Sequence, residues 1–303
     1  MSIEVSKLLQ QIRDGKTLVG DGAMGTMLFS MGLEAGDCPE RLNIEKPEVV
    51  EEVARLYADA GSDIVQTNTF GGCPLKLAQY GLDVRTEEIN IAAVRAARKG
   101  AGTRAFVAAS CGPSGKILKP YGDTEPEDMF DSFKRQLSAV TKEGIDLVIV
   151  ETMTDIEEAK LAVRAAKTVL PEIPVAATMT FDKTPRGFFT IMGVDVEQAA
   201  RELGDEGADI IGSNCGNGIE NMVKIAAEFS KKTTLPLIIQ SNAGLPTMEG
   251  ERLVYSETPE FMAEKCEELL RLSVSIIGGC CGTTPAHISA VREMVQRNIS
   301  SKA

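Results

Sequence analysis

Short runs of apolar and β-branched residues alternate along the chain with longer amphipathic stretches, and the alternation repeats eight times. The apolar runs fall at 17–20, 63–68, 104–111, 146–152, 174–181, 209–215, 236–242 and 274–280. Helical periodicity follows at 47–61, 74–80 with 87–99, 125–143, 155–170, 195–206, 219–231, 259–272 and 285–297. Several of these stretches open on proline and close on glycine, as helices do. The apolar runs do not alternate with polar residues, which suits parallel strands buried on both faces. Eight strand-then-helix units in one chain predict an α/β fold, a single-domain (β/α)8 TIM barrel over 1–303 with its core at about 17–297. A doubly wound open sheet is the second reading of the same pattern. No linker or low-complexity segment divides the chain.

Composition narrows the setting. At 303 residues, 43% hydrophobic and 25% charged, the chain is an ordinary globular one. No apolar run reaches membrane-spanning length and the N-terminus lacks the apolar core of a signal peptide, so a cytoplasmic location is expected, with no membrane partner. A net charge of −12 without a basic stripe argues against nucleic acid. One histidine, His287, removes His-rich metal sites and the usual histidine-based triads. Seven cysteines in a cytoplasmic chain are expected to be reduced.

In a barrel the chemistry gathers at the C-terminal strand ends. Here those ends carry Asp21, Asn68, Cys111, Glu151, Asn214 with Cys215, Asn242, and Cys280 with Cys281. Adjacent cysteines do not readily bridge each other. Cys215 ends the sixth strand and the Cys pair the eighth, one neighbour apart in the ring, so three sulfurs could meet. Three thiolates on Zn²⁺ leave a fourth position open for an incoming thiol, the pattern of a catalytic site. The other reading, a core cysteine and a glycine-tight turn, stays open on spacing alone. So does a barrel enzyme with a phosphate site in the Gly282-Thr283-Thr284 segment.

The stretches GGCCGTTPAHI, SNCGNG and SNAGLP, with DGAMGT, DIVQTNTFGG and VETMTDIEEAKLA in the same order, resemble the homocysteine S-methyltransferase family. The Cys pair with its glycines is the most specific piece, and the likeness extends from Leu18 to Ile288. The resemblance implies zinc on Cys215, Cys280 and Cys281, with homocysteine sulfur as the thiolate acceptor. It implies that Glu151 receives the amino group and that the amides of Gly22 and Ala23, after Asp21, receive the carboxylate. Asn68 and Asn242 are expected as substrate or supporting contacts, Asn242 also as the group that fills the open position. The chain departs from the family at 184–193, where a more apolar loop stands in place of a GRTLSG-like segment. That departure bears on the methyl donor.

Within that family the overall pattern resembles the homocysteine-binding domain of cobalamin-dependent methionine synthase. It holds no DxHxxG cobalamin motif, so a methylcobalamin donor is expected on a separate corrinoid protein. Betaine and S-methylmethionine are the alternative donors, and no tryptophan is present to build a cage for such cations. A zinc methyltransferase or demethylase component acting on another substrate is a further alternative.

Overall fold

The computed structural model describes residues 6–250 and 252–300. The barrel strands are β1 (Leu18–Val19), β2 (Ile64–Gln66), β3 (Phe106–Cys111), β4 (Leu147–Met153), β5 (Val175–Met179), β6 (Ile210–Asn214), β7 (Leu237–Ser241) and β8 (Ile276–Gly279). They form one parallel sheet in ring order, with β8 beside β1. A single parallel bridge, Gly20 to Ile64, joins β1 to β2 and closes the ring. The expected (β/α)8 barrel is therefore the fold, and the open sheet is not.

Both strand faces are buried, which is why the runs read as continuously apolar. The inward face carries Leu18, Ile64, Ala108, Ile149, Ala176, Ile210, Ile238 and Ile276. The outward face, with Val19, Val65, Val107, Val148 and Ile277, packs against the helices. These follow the strands in turn, from Pro47–Asp59 and Thr86–Ala101 round to Pro259–Arg271 and Pro285–Ser300. Aspartates just before three strands accept a backbone N–H of the preceding barrel strand. Asp63 takes Val19, Asp146 takes Val107 and Asp209 takes Val175, each at 2.8 Å.

Two residues further along each inward row the chemistry changes, because side chains on one strand face recur with period two. The apolar layer gives way to Gln66, Ser110, Glu151, Thr178 and Gln240, with glycines at 20, 212 and 278. The polar residues are all buried. The strands themselves thus supply a polar floor at the C-terminal end.

Three features lay outside the eightfold pattern. Helix Lys7–Arg13 closes the opposite end of the barrel, burying Leu8 and Ile12 in the inner cluster. The segment after β5 is a hairpin of Asp182–Thr184 with Gly187–Phe189, and a second hairpin, Pro246–Glu249 with Arg252–Tyr255, follows β7. Among the described residues no helix is long and apolar enough to cross a membrane.

Leu8 is 1% exposed and far in the fold from the cysteines. Leu8→Ala is expected to cost about 2–5 kcal/mol, the range for truncating a buried leucine. Urea unfolding measures the loss, and an unchanged metal content would show that the plug serves stability alone.

Candidate metal centre and substrate pocket

Cys215 follows β6 directly, in a left-handed conformation with φ 61°. Its N–H donates to the Gln240 carbonyl at 3.2 Å, which turns the chain across β7. Cys280 and Cys281 follow β8, where the Cys280 N–H donates to the Ser241 carbonyl at 2.7 Å. The glycines around the pair are needed for space. A Cβ on Gly279 would lie 2.3 Å from the Thr283 hydroxyl, and one on Gly282, at φ 81°, would lie 2.1 Å from the Tyr255 ring.

The three sulfurs lie within 4.8 Å of one another. Cys215 Sγ and Cys281 Sγ are 3.8 Å apart, too far for a disulfide. A tetrahedral zinc with sulfur ligands at about 2.3 Å has an edge of about 3.8 Å, so the donor set fits such an ion. In the free thiols, hydrogen bonds from Cys280 and then Cys281 pull the Cys215 thiol down, while the Cys280 thiol is pushed well up. The Asn242 side chain also favours the Cys215 thiolate. Asn242 Oδ1 has no partner among the described residues.

The sulfurs form one end of a cavity of about 250 Å³ at the barrel mouth. Its walls include Gly22, Ala23, Asn68, Ser110 and Glu151, and among the described residues no lysine or arginine lines it. Glu151 is 7% exposed; its Oε1 accepts the Ser110 hydroxyl and its Oε2 lies 3.3 Å from Asn214 Nδ2. Burial pushes its carboxyl up to about 7 against the pull of Ser110, with Asp21 and Cys215 adding to the rise. Both Asn68 amide protons are spent, on the Pro39 carbonyl at 2.8 Å and Asn43 Oδ1 at 2.9 Å. Its oxygen is what remains to accept a hydrogen bond.

The structure places the other expected contacts less simply. Asp21 is buried beside the cavity, not on its wall, and its Oδ2 accepts the Gln66 N–H at 2.6 Å. Burial pushes its carboxyl to about 7 as well, opposed by that hydrogen bond. The Ala23 N–H donates to the Thr283 hydroxyl at 3.1 Å. The neighbouring amides of Met24 and Gly25 begin helix Met24–Ser30 and have no partner within it, which suits them to an anion. His287 packs away from the sulfurs, on Thr284 and the Glu257 carbonyl.

Glu40 was not foreseen. It lines the cavity at 4% exposure and accepts the Gly71 N–H at 2.6 Å. Its other oxygen accepts the Cys38 thiol, which burial and the Glu40 charge push up to about 12. Glu40 sits in a 3-10 turn, Pro39–Arg41, without a periodic signature. Asn214 was noted only as a strand end, yet it touches both Glu151 and Cys280.

Comparison with known proteins bears on the family and the fold. The homocysteine S-methyltransferase family model matches residues 18–295, and the chain belongs to that family. It is 32% identical over 304 residues to methionine synthase of Mycobacterium tuberculosis, covering 95% of this chain and 25% of that protein. Methionine synthase of Mycobacterium leprae gives 32% over 299 residues, 93% of this chain and 24% of that one. The chain thus spans about a quarter of the length of these relatives. Among solved structures, the homocysteine methyltransferase MmuM from Escherichia coli, metallated form, superposes with TM-score 0.79 at 24% identity. The match covers 95% of this chain and 99% of that one, and it shows the shared fold.

The raised Glu151 carboxyl has a consequence for stability. A carboxyl raised on folding favours the folded state below its unfolded pKa and loses that contribution as pH climbs through the folded value, here about 7. Glu151→Gln removes the titration. Between pH 4.5 and pH 8 the unfolding free energy of the variant should gain on that of the wild type by on the order of 3 kcal/mol. Urea titrations of metal-stripped protein at both pH values test this; a constant difference would mean that Glu151 is not the burdened carboxyl.

Proposed function

We propose that the chain binds homocysteine in this cavity and methylates its sulfur to give methionine, with Zn²⁺ held by Cys215, Cys280 and Cys281. The observation that carries the reading is the convergence of three sulfurs on one end of a cavity whose other walls hold buried carboxylates and helix-start amides. The uncharged thiol of homocysteine is a poor nucleophile. A zinc ion on these sulfurs would supply the Lewis acidity that keeps an incoming thiol deprotonated near neutral pH.

The chain's own groups orient the amino acid. Glu151, with its Oε1 on Ser110, presents Oε2 to the ammonium. Asn68 Oδ1 offers a second acceptor. The first-turn amides of Met24 and Gly25, beside Gly22 and Ala23, receive the carboxylate. With no basic side chain on the wall among the described residues, a cation is favoured at the Glu151 end. Asn242, on Cys215 with a free oxygen, stands ready to occupy the remaining space near the sulfurs before the substrate arrives. Asp21 fixes β2 through Gln66, beside the cavity.

For the donor, the mouth carries exposed Phe70, Tyr121, Ile191, Met192, Leu245 and Met248 on loops after β2, β3, β5 and β7. A broad apolar rim suits a large donor delivered on a protein surface. This supports methylcobalamin on a corrinoid protein, or on another part of a longer chain. Phe70 is the single aromatic residue on the cavity wall among the described residues, which gives a cationic donor such as betaine or S-methylmethionine little to stack on. The absence of nucleic-acid or membrane partners and a cytoplasmic location are part of the same proposal.

Metal analysis should find about one zinc per chain, and methionine should form from homocysteine with methylcobalamin in preference to betaine or S-methylmethionine. Cys215→Ser, Cys280→Ser and Cys281→Ser should each lower kcat/KM by at least about 10³-fold, the scale of losing a metal's Lewis acidity. Full activity in a zinc-free Cys215→Ser protein would sink the proposal. Glu151→Gln should raise the homocysteine KM by at least about 30-fold, as loss of a buried charge partner does, while leaving zinc in place. Because the carboxylate is the binding form, wild-type KM should also rise as pH falls below about 7.

A further inference from the structure

Asn214, the last residue of β6, is fully buried. Its Oδ1 accepts the Thr152 backbone N–H at 2.7 Å and the Thr178 hydroxyl at 2.7 Å. A backbone N–H can only donate, so the atom facing it must be the oxygen, and the amide NH2 points the other way. There Nδ2 meets Thr152 Oγ1 at 2.7 Å, Glu151 Oε2 at 3.3 Å and Cys280 Sγ at 3.7 Å. Two N–H bonds face three acceptors. The donor is oversubscribed, and the two weaker claims belong to the carboxylate of the substrate wall and a sulfur of the metal trio.

The backbone adds a second reason to look here. Thr152 has φ 60°, a region that β-branched residues rarely adopt. Asn214 holds both the N–H and the hydroxyl of this strained residue, which directly follows Glu151. One side chain therefore holds the irregularity in β4 next to Glu151 and reaches across to the Cys280 sulfur beyond β8.

We propose that Asn214 is a positioning residue that couples amino-acid recognition at Glu151 to the sulfur of Cys280; the proposal rests on the reading of the site given above. When a ligand ammonium engages Glu151 Oε2, that oxygen no longer draws on the Asn214 donor. The N–H is then released to Cys280 Sγ. An N–H bond to a ligating thiolate withdraws charge from it, which tunes the centre for a further sulfur. The arrangement thus makes the metal centre most receptive when the amino-acid end of the substrate is already seated.

The test uses wild type, Asn214→Ser, and Thr178→Val as a control that removes a hydrogen bond to the same amide without touching its NH2. Zinc affinity is measured by chelator competition, and the thiolate charge-transfer band of Co²⁺-substituted protein is recorded with and without saturating L-2-aminobutyrate. That probe has the ammonium and carboxylate of the substrate but nothing that can reach a metal through its side chain. Asn214→Ser should lose about 10–100-fold in zinc affinity, the usual effect of removing a partner of a metal ligand. The probe should shift the cobalt band in wild type and in Thr178→Val but not in Asn214→Ser. Thr178→Val should lower Tm yet keep its zinc affinity within about 3-fold of wild type, well inside the range expected for Asn214→Ser. Wild-type zinc affinity in Asn214→Ser, or the same band shift in all three proteins, would overturn the coupling. Wild type that takes up neither metal overturns the reading of the site itself, and this proposal with it.

Discussion

In the parallel register of β6, β7 and β8, Asn214 and Gly278 lie opposite the same residue, Gln240. Cys215 and Cys280 therefore leave the barrel at nearly the same height, on either side of β7, with backbone N–H bonds to Gln240 and Ser241. Everything at the mouth depends on that alignment. A slip of one residue in β8 would turn the Cys280 side chain to the helix layer, because successive positions face opposite ways, while Cys215, one position past the inward Asn214, is redirected by its left-handed backbone. The inward isoleucines Ile210, Ile238 and Ile276 hold the register by filling the barrel below. An apolar layer with no catalytic role thus decides whether three thiols can meet.

Above that layer the fold carries electrostatic cost. Glu40, Glu151 and Asp21 are buried carboxyls near the thiols, and none has a basic partner on the cavity wall. Each is held by short polar contacts instead: Gly71 on Glu40, Ser110 on Glu151, and Gln66 on Asp21. Strain sits in the same place, at Thr152 and Cys215, both non-glycine residues in left-handed conformations. Buried charge and strained backbone at one end of an otherwise well-packed barrel are the pattern expected where stability has been exchanged for function. In the proposed function, a metal cation on the sulfurs and a ligand ammonium at Glu151 would offset the charge.

The strands and outer helices were legible because burial on two faces leaves an unbroken apolar signature, and the barrel followed from their number. The trio of sulfurs was legible through the barrel, since only ring order makes Cys215 a neighbour of residues 65 positions later. Other parts carried no local signal. Glu40 acquires its place from Gly71, 31 residues on, and a 3-10 turn gives no period to read. Asp21 was read as a ligand contact at a strand end; that its Oδ2 also accepts the Gln66 N–H had no local signal. The importance of Asn214 lies in contacts 62 to 66 residues away on two other strands. Helix Lys7–Arg13 and the hairpin after β5 are too short for periodicity to reveal.

The central claim is that Cys215, Cys280 and Cys281 hold one zinc with a place left for the sulfur of the substrate. X-ray absorption at the zinc edge reads it directly, by counting sulfur neighbours with and without homocysteine. The account predicts three sulfurs in the free protein and four when homocysteine is added. A zinc surrounded only by nitrogen and oxygen, or a sulfur count that homocysteine does not change, would contradict it.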